Sequence, residues 1–231
     1  MAIAFVNTVY TGNWSATPGG LLTTVAFAAT QGNLLVVTHN NIGQSAVISD
    51  TAGNVFIPVT LINGDYSTTF WYAKNIIGNA SNVVQANFPS ATFTYLSVLQ
   101  YSGCDQNAPY DTGAFTPFNS MPTVQNPFSP AISTRFPNEV LIGWIQSSDA
   151  GASQGSGWTF RSQPAAAPEI MEDMIVTTVQ NNIQATALEA TLAAWFCAIL
   201  AFIGAGQLTT NVFTRASNAG IKGQGVFSTF G

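Results

Sequence analysis

The chain has 231 residues, of which 47% are apolar and only 6% charged, with a formal net charge of −5. Its Lys and Arg residues, Lys74, Arg135, Arg161, Arg215 and Lys222, are too few and too scattered to neutralise a phosphate backbone or grip an anionic bilayer. Nucleic-acid binding and a polybasic membrane patch are therefore excluded, and so is disorder, because the apolar content is high and the net charge low.

Along the chain, Met1–Val6 offers neither a basic n-region nor a long apolar h-region, so no secretory signal is expected. Short apolar or alternating runs then recur, separated by Gly, Asn, Pro and Ser clusters. Strands are expected over Ile3–Tyr10, Leu22–Phe27, Leu34–Thr38, Ser45–Ile48, Val55–Leu61, Thr68–Ala73, Val83–Phe88 and Thr94–Ser102. Further strands are expected over Ile132–Thr134, Val140–Gln146, Trp158–Arg161, Met171–Thr178, Gln184–Leu188 and Ala193–Phe202. That rhythm is the mark of an all-β, antiparallel sandwich or barrel. Asp50-Thr51-Ala52-Gly53-Asn54 and Gly78-Asn79-Ala80-Ser81-Asn82 carry the turn chemistry of hairpins.

Residues Asn107–Pro130 hold Pro109, Pro117, Pro122, Pro127 and Pro130. Each proline removes a ladder donor, so the stretch reads as a long loop packed down by Tyr110, Phe115, Phe118 and Phe128. Glu169, Glu172 and Asp173 would suit a first helical turn, but the run Ile175–Val179 favours a strand with an acidic start. The apolar run Ala190–Ile203 is shorter than the roughly 20 residues a spanning helix needs, and reads as a buried strand. From Gly204 the composition turns Gly-rich while keeping Phe213, Val226, Phe227 and Phe230. The expected organisation is a sandwich domain over 1–203 and a tail over 204–231 that docks on a neighbouring subunit.

Little in the chain carries chemistry. Its single histidine, His39, sits at a strand end and reads as a surface or capping residue. Neither a G-x-S-x-G elbow nor a phosphate-binding G-x-x-x-x-G-K-[ST] loop occurs. Glu169, Glu172 and Asp173 form the one acidic cluster, and no pattern places another carboxylate across a cleft from them, as glycoside hydrolysis requires. No catalytic residue, resident metal or cofactor is expected. A structural Ca2+ at Asp50 and Asn54, or near Asp105 and Asp111, stays open, although the EF-hand spacing is missing. Cys104 and Cys197 are too few for a disulfide scaffold or a zinc site, and either one bridge or two free thiols fits. Among the tryptophans, Trp71, Trp144 and Trp195 lie inside strand runs and read as core. Trp14 and Trp158 lie near turns and are the candidate sugar platforms.

Several short segments carry a family likeness. They include Met1–Val6 followed by a Thr-rich strand, Gly32-Asn33-Leu34-Leu35-Val36-Val37, Ser49-Asp50-Thr51-Ala52-Gly53-Asn54 and Trp71-Tyr72-Ala73-Lys74. Leu99-Gln100-Tyr101-Ser102-Gly103, Asn138-Glu139-Val140-Leu141-Ile142-Gly143 and Gly157-Trp158-Thr159 continue it. Over about residues 1–203 the chain resembles bacteriophage virion structural proteins and related bacterial surface proteins. The resemblance implies a jelly-roll or immunoglobulin-like sandwich on a virion or cell surface, and it brings no active-site residues. The expectation is a non-enzymatic structural subunit (a decoration, fibre or tail-associated protein) that partners copies of itself and other virion proteins. The alternatives are an extracellular bacterial adhesin or filament subunit, and a carbohydrate-binding module. A neutral surface of Asn, Gln, Ser and Thr suits close packing against neighbours.

Overall fold

The computed structural model describes residues 1–13, 20–39, 46–64, 66–89, 94–119, 126–147, 152–162, 169–189 and 191–207. The N-terminal half contains β1 (Ala4–Asn13), β2 (Leu21–Thr23), β3 (Phe27–Ala29), β4 (Leu34–His39) and β5 (Val47–Asp50). It continues with β6 (Ile57–Asn63), β7 (Tyr66–Ala73), β8 (Asn79–Asn82), β9 (Val84–Asn87) and β10 (Thr94–Ser102). The C-terminal half contains β11 (Tyr110–Asn119), β12 (Glu139–Ser147), β13 (Ser153–Gln154), β14 (Thr159–Ser162), β15 (Glu169–Val176), β16 (Ala187–Leu188) and β17 (Trp195–Ile203). Every strand pairing among the described residues is antiparallel, which makes the chain the all-β sandwich that the strand rhythm implied.

Each half builds one large sheet, in the order β1-β10-β4-β7-β6 and β11-β17-β12-β15-β14. Counted along the chain, both orders read first, fifth, second, fourth, third. The halves therefore share one layout. Each also carries smaller sheets, β2-β9-β5 and β3-β8 in the first half and β13-β16 in the second. The β5–β9 and β13–β16 pairings are again equivalent.

The two large sheets face each other. Leu34, Val36, Phe70, Tyr72, Leu99 and Tyr101 meet Val140, Ile142, Trp144, Met171, Leu200 and Phe202 in one shared core. Behind the first sheet, Leu35, Val37, Trp71 and Val98 pack on Phe27, Val84, Ala86 and Phe88 of the small sheets and loops. Behind the second, Leu141, Ile145, Ile170 and Ile199 pack on Ile132, Trp158, Ala185 and Ala187. The described sandwich is thus four layers deep. Burial on both sides explains why β4, β12 and β17 are continuous apolar runs, whereas peripheral β6 alternates buried and exposed residues. Each large apolar side chain so buried contributes about 1.5–3 kcal/mol.

The halves are related by an approximate two-fold axis parallel to the strands. β1 lies against β14 as β11 lies against β6. Tyr101 of β10 reaches Asp173 of β15, and Phe202 of β17 packs edge-on to Tyr72 of β7. Thr38 of β4 touches Met171 of β15, and Trp144 of β12 packs edge-on to Phe70 of β7.

Three sequence expectations change. The Pro-rich stretch is not one loop, because its first part is the ten-residue strand β11. The strand tolerates Pro117 since β11 is a sheet edge and the proline falls in the register shift between Thr116 and Asn119. Asp50–Asn54 turns the chain but makes no hairpin, because β5 pairs with β9 while β6 pairs with β7. It is a corner between layers, with Gly53 at φ 79°. Likewise Asn79–Asn82 is itself strand β8, paired with β3. The run ending at Ile203 is β17, between β11 and β12 in its sheet. No described helix is long and apolar enough to cross a membrane. Phe213, Val226, Phe227 and Phe230 lie outside the described residues, as does Trp14.

Candidate functional site

β15 places its carboxylates by simple alternation. Glu169 and Asp173 point toward the facing sheet, while Glu172 points the other way, toward the outer layer. All three are buried. The expected strand is therefore present, but its acidic start is an interior feature.

Glu169 lies where the two large sheets meet. Its Oε1 accepts from Ser97 Oγ at 3.1 Å and from Thr38 Oγ1 at 3.4 Å, both from the first half. Burial pushes its carboxyl up to about 7, and those hydrogen bonds pull the other way. The Trp144 indole N–H on the neighbouring strand also draws the Glu169 carboxyl down, although it makes no well-aligned hydrogen bond to Oε2. Gln146 is the cross-strand partner of Glu169.

Four residues further on, Asp173 joins the halves a second time. Tyr101 donates its phenol to Oδ2 at 2.8 Å. Arg161 Nε lies 2.8 Å from the same oxygen, an ion pair whose N–H is not aimed along the contact. The guanidinium covers the Phe5 ring at 3.9 Å. Burial, and then the Asp173 charge, keeps the Tyr101 phenol protonated well above its usual range.

Glu172 ties the second large sheet to its outer layer, accepting from Gly155 N at 2.9 Å and Thr186 N at 3.3 Å. Burial pushes it up to about 7. It lies flat over Gly143, where a Cβ would come within 2.6 Å of Oε1, so only glycine leaves room. At the end of the same sheet, Glu139 accepts from Phe136 N at 2.9 Å. Burial first, and then neighbouring Asp111, push its carboxyl up to about 8. Asp111 is itself clamped by Arg135, through Nε and the backbone N–H.

These groups are distributed rather than convergent. Glu169 and Glu172 face opposite sides of their sheet, so they do not flank a common space as paired glycosidase carboxylates do. Among the described residues no group of three His, Cys, Asp or Glu side chains forms a metal site. Asp50, one candidate Ca2+ ligand, has both oxygens taken: Oδ1 by Asn54 N at 2.8 Å, and Oδ2 by Asn54 Nδ2 at 2.6 Å and Asn82 Nδ2 at 2.9 Å. Asp105 caps its own loop, accepting from Asn107 N and Ala108 N.

Trp158 is not a sugar platform. It is only 6% exposed, packed in the core between β12, β15, β17 and the outer layer, just after an exposed turn with Gly157 at φ 83°. His39 is not a surface residue either. It is buried against Trp71 and Phe88, and burial lowers it to about 4, so the ring is neutral. Trp71, Trp144 and Trp195 are core, as their strand positions implied. Cys104 and Cys197 are free and buried, and burial raises the Cys104 thiol to about 12, leaving it a poor nucleophile. Thr38, Ser97, Tyr101 and Arg161 went unread as site residues. The available signal was a polar residue at an inward position of an otherwise apolar strand, as in Thr94–Ser102. Comparison with protein-family models, curated proteins and solved structures returns no match to this chain.

Proposed function

We propose that this chain is a non-catalytic structural subunit that packs against copies of itself and other proteins of a surface assembly. The setting implied by the sequence resemblance is a bacteriophage virion. One observation carries the reading: the acidic side chains are turned inward, and the exposed cation Arg135 is tied to one of them. Of the eight acidic residues among those described, seven are buried and Asp50 is half-buried. Arg135 and Arg161 are engaged by Asp111 and Asp173, and Lys74 by the Asn107 carbonyl. Large apolar side chains remain outside instead, among them Val47, Val55, Ile62, Ile77, Leu188 and Leu192. Such a surface repels its own copies weakly and costs little to desolvate.

The strand orders support a finer reading. In each half the order of the large sheet, with the smaller sheet behind it, suits a jelly roll, an architecture recurrent in viral capsid and lectin domains. The buried acids then serve as fasteners between layers.

Light scattering on the purified full chain, from micromolar concentration upward and at low and high salt, tests the function. Multimers that grow with concentration and depend weakly on salt are expected. A monomer at every concentration and salt would overturn the proposal.

A further inference from the structure

Among the described residues the two large sheets end in four edge strands, β1, β6, β11 and β14. An open edge presents unpaired N–H and C=O groups that can template another strand, and proteins guard such edges with proline, charge, bulges or brevity. Three of these edges are guarded. β6 contains Pro58. β11 contains Pro117 and two register shifts. β14 is four residues long, with Arg161 and a register shift. β1 differs: after one shift between Phe5 and Asn7 it pairs with β10 without interruption to Asn13. That stretch, Asn-Thr-Val-Tyr-Thr-Gly-Asn, has no proline and no charge.

The C-terminal chain emerges at the foot of this edge. Ala205 N donates to Gly103 O at 2.8 Å, and Gly103 is pressed against Ala2, just before β1 begins. Residues 208–231 follow, outside the described residues, and when extended reach roughly 75 Å, more than twice the length of β1. They include Val212-Phe213-Thr214 and Val226-Phe227-Ser228-Thr229-Phe230, β-branched and aromatic runs that favour strands. Rising from the foot beside its own β1, this segment would run parallel to it, unlike every pairing in the described structure. The β1 edge of another molecule can be met antiparallel, the slightly stronger arrangement.

We infer that residues 208–231 of one copy add as an antiparallel strand to the β1 edge of a second copy, linking subunits head to tail. The inference rests on the assembly reading above and names its joint. Main-chain hydrogen bonds supply the contact, and a head-to-tail link of this kind closes into rings or grows into filaments.

The test compares the full chain with a chain ending at Gln207, by light scattering and amide hydrogen exchange, using a synthetic peptide of residues 208–231 as probe. The full chain should be multimeric and the truncated one monomeric with an unchanged melting temperature. Added peptide should slow exchange across Asn7–Asn13 at least tenfold, leaving β6, β11 and β14 as they were. In the full chain, the pair Val6→Lys and Tyr10→Lys, both at exposed positions, should weaken assembly at least tenfold. Multimers that survive truncation, or that leave β1 exchange unchanged, would sink this inference while the assembly reading stands. Protection of β1 in a full-length monomer would mean that the tail pairs with its own edge, which also sinks it. A full chain that is monomeric at all concentrations, with β1 unprotected, would sink both.

Discussion

The two halves have one layout and opposite chemistry. Residues 1–102 contain only Asp50 and Asp65 as acids, and all the others follow Gly103. At the shared face the first half supplies hydroxyl donors, Thr38, Ser97 and Tyr101, and the second supplies the acceptors, Glu169 and Asp173. Behind that face the difference persists. Apart from Asp50 at its corner, the first half is laced by neutral amides: Gln100 accepts from Thr30 N and Asn33 Nδ2 and donates to Asn7 Oδ1 and Ala28 O. In the second half the corresponding work falls to Glu172 and Glu139. A layout can thus be kept while its polar fasteners are replaced, provided each buried donor still meets an acceptor.

The comparison can be broken most forcefully at Trp144, which is fully buried where the halves meet. Trp144→Ala should cost about 3–5 kcal/mol in urea unfolding. Because the core is shared, both halves should still unfold in one transition. Two separated transitions would show that the halves stand independently.

A sharper contrast lies in pH. Glu139, Glu169 and Glu172 all titrate above their ordinary range in the folded chain, so the folded state holds protons that the unfolded state has released. Their contribution is fully present below about 4.5 and fades as pH rises through about 7 to 8. Neutral His39 works the other way below about 6.5, but three carboxyls outweigh one imidazole, so the melting temperature should fall between pH 4.5 and pH 8.5. Glu169→Gln, which cannot ionise, should remove about 3 kcal/mol of that difference. An unchanged pH profile in this variant would assign the sensitivity elsewhere. Next in size, Gly143→Ala should cost about 2 kcal/mol by displacing Glu172 from its two backbone donors, and should raise amide exchange at Gly155 and Thr186. The smallest effect is expected at the equivalent outer layer of the first half. Asp50→Ala opens the corner held by Asn54 and Asn82 and should cost about 1–2 kcal/mol in chemical denaturation.

The sequence makes some of this readable and hides the rest for definable reasons. Leu34–Thr38, Val140–Gln146 and Ala193–Phe202 announce strands because burial on both faces demands unbroken apolar runs. β11 escapes notice because an edge strand can keep its prolines, and nothing local marks Tyr110–Asn119 as an edge. Asp50–Asn54 has the residues of a hairpin, but pairing is decided by distant strands, β9 and β7, so the corner looks the same as a turn. The shared layout shows in the chain only as details. Gly53 before Phe56 matches Gly157 before Phe160, both glycines with positive φ, while the strand sequences differ. The fasteners are harder still. Glu169 and Asp173 alternate correctly for one face, but the hydroxyl donors that meet them, Ser97 and Tyr101, sit more than 70 residues away.

Gly103 has a further consequence. It touches Ala2 on one side and receives Ala205 on the other, so the beginning of the first half and the end of the second meet at one point. A short linker joining them would free the chain to be cut between Ser102 and Tyr110. Such a circular permutant, second half first, would find the same partners for every strand. The architecture would then be set by the strand partners and not by the order in which the two halves are synthesised.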